Sequence, residues 1–144
     1  MNARCIMAFV YYFPDNMEPV YLLLKRTPQL GGYWQPVTGF MEQNESAVQA
    51  ALREIEEETG LKSPRQIMDI DFRFSFFMEE DGIRCYVDTL GVEVEHSQIE
   101  LSFEHTDYRW LGYQKARELL YWDNNKKTLD LLHDQLQIAT EKHK

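Results

Sequence analysis

The stretch Arg53-Glu54-Ile55-Glu56-Glu57-Glu58-Thr59-Gly60 sets four glutamates among five residues, directly ahead of a glycine. Gly60 reads as the residue that stops a helix, because glycine enters the left-handed C′ conformation without a steric penalty. The spacing predicts a helix from about Glu45 to Thr59, with Asn44 as its N-cap. At about 100° per residue, Glu54, Glu57 and Glu58 share an arc of roughly 100°, and Glu56 points nearly opposite. Val48, Ala51, Leu52 and Ile55 form the adjacent apolar stripe that faces a core. Ala47 and Ala50 lie on the acidic side and leave room there.

This crowding is electrostatically unfavourable. Like charges at i,i+3 and i,i+4 cost roughly 0.2–0.5 kcal/mol per pair, and the partially negative helix C-terminus adds roughly 0.3–1 kcal/mol per group. A divalent cation reverses both signs. Carboxylates without histidine or thiolate partners select hard ions such as Mg²⁺ or Mn²⁺ over zinc. On these residues alone a solvated acidic face, moderated by Arg53, Lys62 and Arg65, stays open beside the metal site.

Outward from this helix, residues 6–13 are apolar and aromatic, "PDNMEP" supplies turn residues, and "VYLLLKR" resumes a β-favouring run, so two strands joined by a loop are expected. "TPQLGGYWQPVTG" reads as a loop punctuated by Pro28, Gly31, Gly32, Pro36 and Gly39. Residues 67–77 and 84–94 read as strands around an "EEDG" turn, and "YRWLGY" as a short further strand. "QKARELL" and "KKTLDLLHDQLQIA" have helical spacing, the second with a stripe of Leu129, Leu132, Leu136 and Ile138 or Ala139. The tail "TEKHK" is expected to fray. The mixture indicates an α/β or α+β fold, a sheet covered by helices, with residues 1–144 as one domain.

The 144-residue chain is 44% hydrophobic and 27% charged, which is ordinary globular composition. No apolar run reaches the roughly 18–20 residues of a membrane span. The first residues lack a signal peptide's basic region and cleavage site, so a cytoplasmic location is expected. Cys5 and Cys85 form no CxxC pair and read as reduced core thiols. His96, His105, His133 and His143 show no zinc-site spacing. A formal charge of −9 disfavours nonspecific nucleic-acid binding, so a phosphate-bearing ligand must arrive with cations.

The segment "GFMEQNESAVQAALREIEEETGL", Gly39 to Leu61, resembles without a gap the signature of the Nudix hydrolases, matching at Gly39, Glu45, Arg53, Glu54, Ile55, Glu57, Glu58, Gly60 and Leu61. Gln43 and Asn44 stand where many members carry Pro-Gly, which changes the turn but no ligand. The resemblance implies a Nudix fold, a mixed sheet sandwiched between helices, and hydrolysis of a nucleoside diphosphate linked to another group. It also implies that Glu54, Glu57 and Glu58 bind divalent metal, that one of them assists as base, and that the backbone at Thr38 and Gly39 completes the metal shell. Glu45 and Arg53 are implied to hold loop and helix together.

Outside this signature, "KRTPQLGGYWQPVTG", "LSFEHTDYRWL" and "YWDNNKK" resemble the bacterial dihydroneopterin triphosphate or dATP pyrophosphohydrolases. That likeness assigns Glu104, in the loop before the last core strand, as a further metal ligand or base. Arg26 is a candidate phosphate contact by bidentate hydrogen bonds, or a surface arginine. Trp34 and Gln35 have the chemistry of a base site, an indole for stacking and an amide for a heterocycle edge, and Trp34 equally suits a core. Phe76, Phe77, Trp110, Tyr121 and Trp122 are expected in the core or against helices. Asn124 and Lys126 stay outside the site.

The reading that leads is a Mg²⁺- or Mn²⁺-dependent pyrophosphohydrolase of a small nucleoside or pterin triphosphate. Its partner is that small molecule, with no long nucleic acid and no membrane; a homodimer is the assembly to consider. The alternatives are a dinucleoside polyphosphate or RNA 5′-end pyrophosphohydrolase, and a non-catalytic nucleotide-binding module.

Overall fold

The computed structural model describes residues 1–62 and 64–142. Its strands are β1 (Asn2–Tyr12), β2 (Val20–Arg26), β3 (Trp34–Gln35), β4 (Val37–Phe40), β5 (Pro64–Met78), β6 (Ile83–Val94) and β7 (His105–Leu111), and its α-helices are α1 (Ala47–Thr59), α2 (Tyr113–Leu119) and α3 (Asp123–Lys142). Short 3-10 turns at Pro14–Asn16 and Pro28–Leu30 follow β1 and β2.

The apolar run in β1 is buried at every position from Cys5 to Tyr11 because the strand lies inside the sheet with a core on each face. Successive side chains alternate between the faces. Cys5, Met7, Phe9 and Tyr11 join Tyr21, Leu23, Leu129, Leu132 and Leu136 on the α2–α3 side. Ile6, Ala8 and Val10 join Leu22, Leu24, Ala50, Ala51 and Ile55 on the α1 side. Each large side chain buried in this way contributes roughly 1.5–3 kcal/mol. The strand order is β3-β2-β1-β6-β5, with β4 also paired to β1 and β7 to β2. β1 and β6 run parallel from Asn2↔Arg84 to Tyr11↔Glu93. The α+β class and mixed, helix-covered sheet agree with the expectation.

Several local readings change. The "loop" before Gly39 contains β3 and β4; β4 pairs with β1 through Met7↔Thr38 and Ile6↔Gly39, and β3 pairs with β2 through Lys25↔Trp34. Helix α1 starts at Ala47, and its N-cap is Ser46 rather than Asn44. The Ser46 hydroxyl accepts from the Gln49 N–H at 3.1 Å while the Ser46 N–H donates to the Gln49 side chain at 2.9 Å. That reciprocal capping box satisfies two otherwise orphaned donors, whereas Asn44 sits at a φ of 69° in a turn. The buried face of α1 includes Ala50, and Val48 is exposed, so the apolar stripe is rotated from the expected one. Ala50 packs in the core and leaves no space beside the acids.

In α3 the buried stripe ends at Leu136, with Ile138 exposed. The side chain of Ala139, and His143 and Lys144 altogether, lie outside the described residues. Phe76, Phe77, Tyr121 and Trp122 are exposed rather than core residues. Trp110 does pack inward, edge-on against Tyr12, with its indole N–H on the Ser97 carbonyl at 3.1 Å. Cys5 and Cys85 are free and buried. Among the described residues no helix is long and apolar enough to cross a membrane.

Candidate active site

Arg53 ties the β4–α1 loop to the helix. Its Nε donates to Glu45 Oε2 at 2.7 Å and its Nη2 to Glu45 Oε1 at 3.0 Å, a bidentate fork suited to guanidinium and carboxylate. Nη2 also reaches the Phe40 carbonyl at 2.9 Å. Glu45 accepts in addition from the Glu42 N–H at 2.8 Å, so one carboxylate closes the turn and anchors the helix. The hydrogen bond from Arg53 holds the Glu45 carboxyl below the usual carboxylate range, and the same bond raises the affinity of Arg53 for its proton. From Nη1, Arg53 contacts Glu54 Oε1 at 2.9 Å and Glu57 Oε2 at 3.3 Å.

Glu54 lies across the backbone of Gly39. A methyl group at Gly39 would fall 2.2 Å from Glu54 Cδ and 2.5 Å from Oε1, so the absence of a side chain is what permits the approach. Gly39→Ala is therefore expected to displace the Glu54 carboxylate, with overpacking costing about 1–3 kcal/mol of stability. Thermal denaturation with and without Mn²⁺ checks this. The variant should melt lower and gain less from the ion than the wild type; an unchanged melting point and an unchanged Mn²⁺ response would refute the contact.

Glu58 turns the other way, into the interior. The loop from 95 to 104 is fastened to the end of α1 by Glu100 N–H to the Thr59 carbonyl at 2.9 Å and Ser102 N–H to the Glu58 carbonyl at 3.4 Å. Thr27 N–H donates to the Glu104 carbonyl at 3.1 Å, and His105 stands opposite Arg26 in the β2–β7 register. Arg26, Glu104 and His105 are thereby brought to Glu58 from elements distant in sequence. Burial, then Glu54 and then Glu104, push the Glu58 carboxyl well above its usual range, and the Arg26 charge partly opposes them. Burial and the nearby Arg26 charge push His105 down to about 4. His105 Nε2 is 3.5 Å from Glu58 Oε1; with both shifts in those directions the pair is a neutral acid facing a neutral imidazole, not an ion pair.

Among the described residues, the buried side-chain polar atoms without a hydrogen-bond partner are Arg26 Nε, Glu58 Oε2 and both ring nitrogens of His105. All belong to this cluster. Buried polar groups are satisfied in the great majority of cases, so their concentration in one place marks a site finished by something else. An unpartnered carboxylate oxygen facing further carboxylates fits a hard divalent cation.

The expected site residues separate accordingly. Glu54, Glu104 and Arg26 all act electrostatically on Glu58, and Gly39 lies under Glu54. Glu57 is on the open flank, its side chain 58% exposed and in contact with Arg53. Thr38 accepts from the Gln35 amide at 3.3 Å, which engages Gln35, itself buried, within the fold. Trp34 packs against the core on the α2–α3 face, its ring covered by the Arg109 guanidinium at 4.8 Å. Among the described residues no three carboxylate, imidazole or thiol groups already converge on one point; Glu54 and Glu57 both contact Arg53.

Residue-by-residue reading missed His105, which has no diagnostic spacing. It also missed an aromatic group formed by Tyr33, Tyr121 and Trp122. Tyr33 lies 4.5 Å from Tyr121 and 5.3 Å from Trp122 between ring centroids. The Tyr33 carbonyl accepts from Arg26 N–H at 3.0 Å, which ties the backbone of Tyr33 to that of the arginine acting on Glu58. The adjacent aromatics Tyr121 and Trp122, and Tyr33 in the much earlier glycine-rich loop, were the available signal.

The fold is that of a class of hydrolases that act on phosphoric anhydride bonds and generally use divalent metal ions. Residues 4–132 match the NUDIX domain, and the chain belongs to that family. It is 31% identical over 121 residues to the asymmetrical bis(5′-nucleosyl)-tetraphosphatase of Rattus norvegicus, covering 83% of this chain and 82% of that one. It is 29% identical over 139 residues to the dihydroneopterin triphosphate diphosphatase of Haemophilus influenzae, covering 89% and 85%. A 37% identity over 115 residues links 78% of the chain to an octanoyltransferase of Myxococcus xanthus, of whose length it spans 32%. The fold superposes on an Ap4A hydrolase of C. elegans with a TM-score of 0.77 at 22% identity, covering 94% of this chain and 98% of that one.

Proposed function

We propose that the protein is a Mg²⁺- or Mn²⁺-dependent pyrophosphohydrolase of small nucleotides. The observation that carries this is the buried Glu58, whose unpartnered oxygen and repulsion by the partly buried Glu54 and the exposed Glu104 are relieved by a divalent cation. When bound, the ion supplies charge neutralisation on the anhydride oxygens and lowers the pKa of an attacking water. Arg53 restrains Glu54 and Glu57 at the rim. Glu104, arriving from the opposite loop, accepts a proton from the water. Arg26 pairs with a phosphate oxygen through its terminal nitrogens, and the exposed rings of Tyr121 and Trp122, with the half-buried Tyr33 beside them, stack a base.

The substrate class put first is a dinucleoside tetraphosphate, cut asymmetrically into a mono- and a triphosphate, because the relative named for that reaction matches four-fifths of both chains at 31% identity. This reverses the order reached from sequence. The second reading, a dihydroneopterin or nucleoside triphosphate cleaved to a monophosphate and pyrophosphate, is supported by the 29% match to the named diphosphatase. Diadenosine tetraphosphate, dihydroneopterin triphosphate and the nucleoside triphosphates, each incubated with Mg²⁺ and resolved by chromatography, test this. Adenosine mono- and triphosphate from the first compound is the expected result. Pyrophosphate released only from triphosphates would establish the second reading, and no hydrolysis of any would remove both.

A further inference from the structure

His105 has no part in that mechanism, yet its side chain is 1% exposed against 5% for Glu58. Leaving a buried polar group unbonded costs about 1–3 kcal/mol, and here both ring nitrogens are unbonded. The unpartnered atoms of the cluster are chemically complementary. Arg26 Nε–H can only donate, a Glu58 that gives up its proton on holding the ion can only accept, and one imidazole tautomer does both. They also stand in order: Arg26 is opposite His105 across the β2–β7 pairing, and Nε2 of His105 faces Oε1 of Glu58 at 3.5 Å. A closure of about half an ångström makes that contact a hydrogen bond. The other oxygen of the same carboxylate, Oε2, is the one left without a partner.

We propose that His105 is a positioning residue that accepts from Arg26 Nε at Nδ1 and donates from Nε2 to Glu58 Oε1, so that Oε2 is the oxygen presented to the divalent ion. This rests on the metal reading above. Such supporting bonds orient a ligating carboxylate and set its metal affinity. Arg26 thereby serves twice, its Nε holding the imidazole and its terminal nitrogens free for phosphate. His105 contacts neither the ion nor the substrate.

The test is Mn²⁺ titration of the full chain followed by electron paramagnetic resonance, on the wild type, His105→Leu and His105→Gln. Leucine fills the space without polar atoms and should weaken Mn²⁺ binding about 10–100-fold. Glutamine, with an amide N–H for Glu58 and a carbonyl for Arg26, should bind nearer to the wild type than to the leucine variant. A folded leucine variant that binds as the wild type does, or a glutamine variant as impaired as leucine, overturns the proposal. Should the leucine variant not fold, the histidine ¹⁵N spectrum of the wild type decides. A proton fixed on Nε2 whose resonance moves on adding Mg²⁺ is expected, and a proton on Nδ1 overturns it. A wild type that takes up no Mn²⁺ removes the metal reading and this proposal together, whereas normal uptake with an indifferent leucine variant removes this proposal alone.

Discussion

Glu58→Gln is expected to lower Mg²⁺-dependent turnover on the order of 10³-fold, the scale at which a single group stabilising developing charge is lost, and at the same time to stabilise the metal-free protein. Glu58 is buried among acids, and its carboxyl has a folded-state pKa raised above the ordinary 4.5. The folded state therefore holds the proton more tightly than the unfolded state. The stability this contributes is complete below pH 4.5 and declines as pH climbs toward the raised value, by up to about 1.4 kcal/mol per pH unit. His105 works in the opposite direction and lower down, losing stability as pH falls from 6.5 toward about 4. Of these two groups, only Glu58 changes its contribution between neutrality and pH 8, below the range in which the buried Cys5 thiol begins to matter. Thermal melts of chelator-treated protein across that range should fall with pH for the wild type and stay level for the glutamine variant. Parallel curves would disprove the buried, protonated state. Glu57→Gln provides the contrast: Glu57 is exposed, so its loss should leave metal-free stability nearly unchanged.

Arg53→Ala carries the second large effect. The guanidinium reaches Glu45, Glu54, Glu57 and the Phe40 carbonyl, and removing it leaves Glu45 and Glu54 facing each other with no counter-charge. Hydrogen bonds to charged groups contribute about 1.5–3 kcal/mol where they are sheltered, and the exposed Glu57 contact adds little. A stability loss of about 2–3 kcal/mol is expected, together with a fall in turnover of about 10²-fold through misplacement of the acids. Denaturant titration paired with steady-state kinetics separates the two. Full turnover in a variant that is merely less stable would show that the clamp holds the fold without aligning the acids.

Much of this was legible in the residues themselves. The acids of α1 and the stop at Gly60 follow from spacing, and in the structure Glu104, from a distant loop, bears on the charge of Glu58 as Glu54 does. The N-cap was misread because Asn44 and Ser46 are both good caps. The choice between them is made by Gln49, whose side chain completes a box with Ser46, and by Glu45, drawn off to Arg53. β3 and β4 escaped notice because two to four residues between prolines and glycines carry no measurable period. They exist only through pairing with β2 and β1. His105 was silent for a similar reason: its role comes from what folding sets beside it. Their size suggests that Tyr121 and Trp122 pack in the core or against helices, but the α2–α3 connection holds them exposed, against Tyr33.

The pairing of β1 with β6 has a consequence for how the molecule comes into being. Each of its partners, from Asn2↔Arg84 to Tyr11↔Glu93, is 82 residues away along the chain, and a parallel pair cannot close through a tight turn. The greasy first strand can pair with β2 and β4 early, but its edge toward β6 stays open on the ribosome until the segment ending at Val94 emerges, a delay that favours slow maturation. Because Gly39 and Thr38 lean on that same strand, catalytic competence is acquired late, after the last partner of β1 has been synthesised.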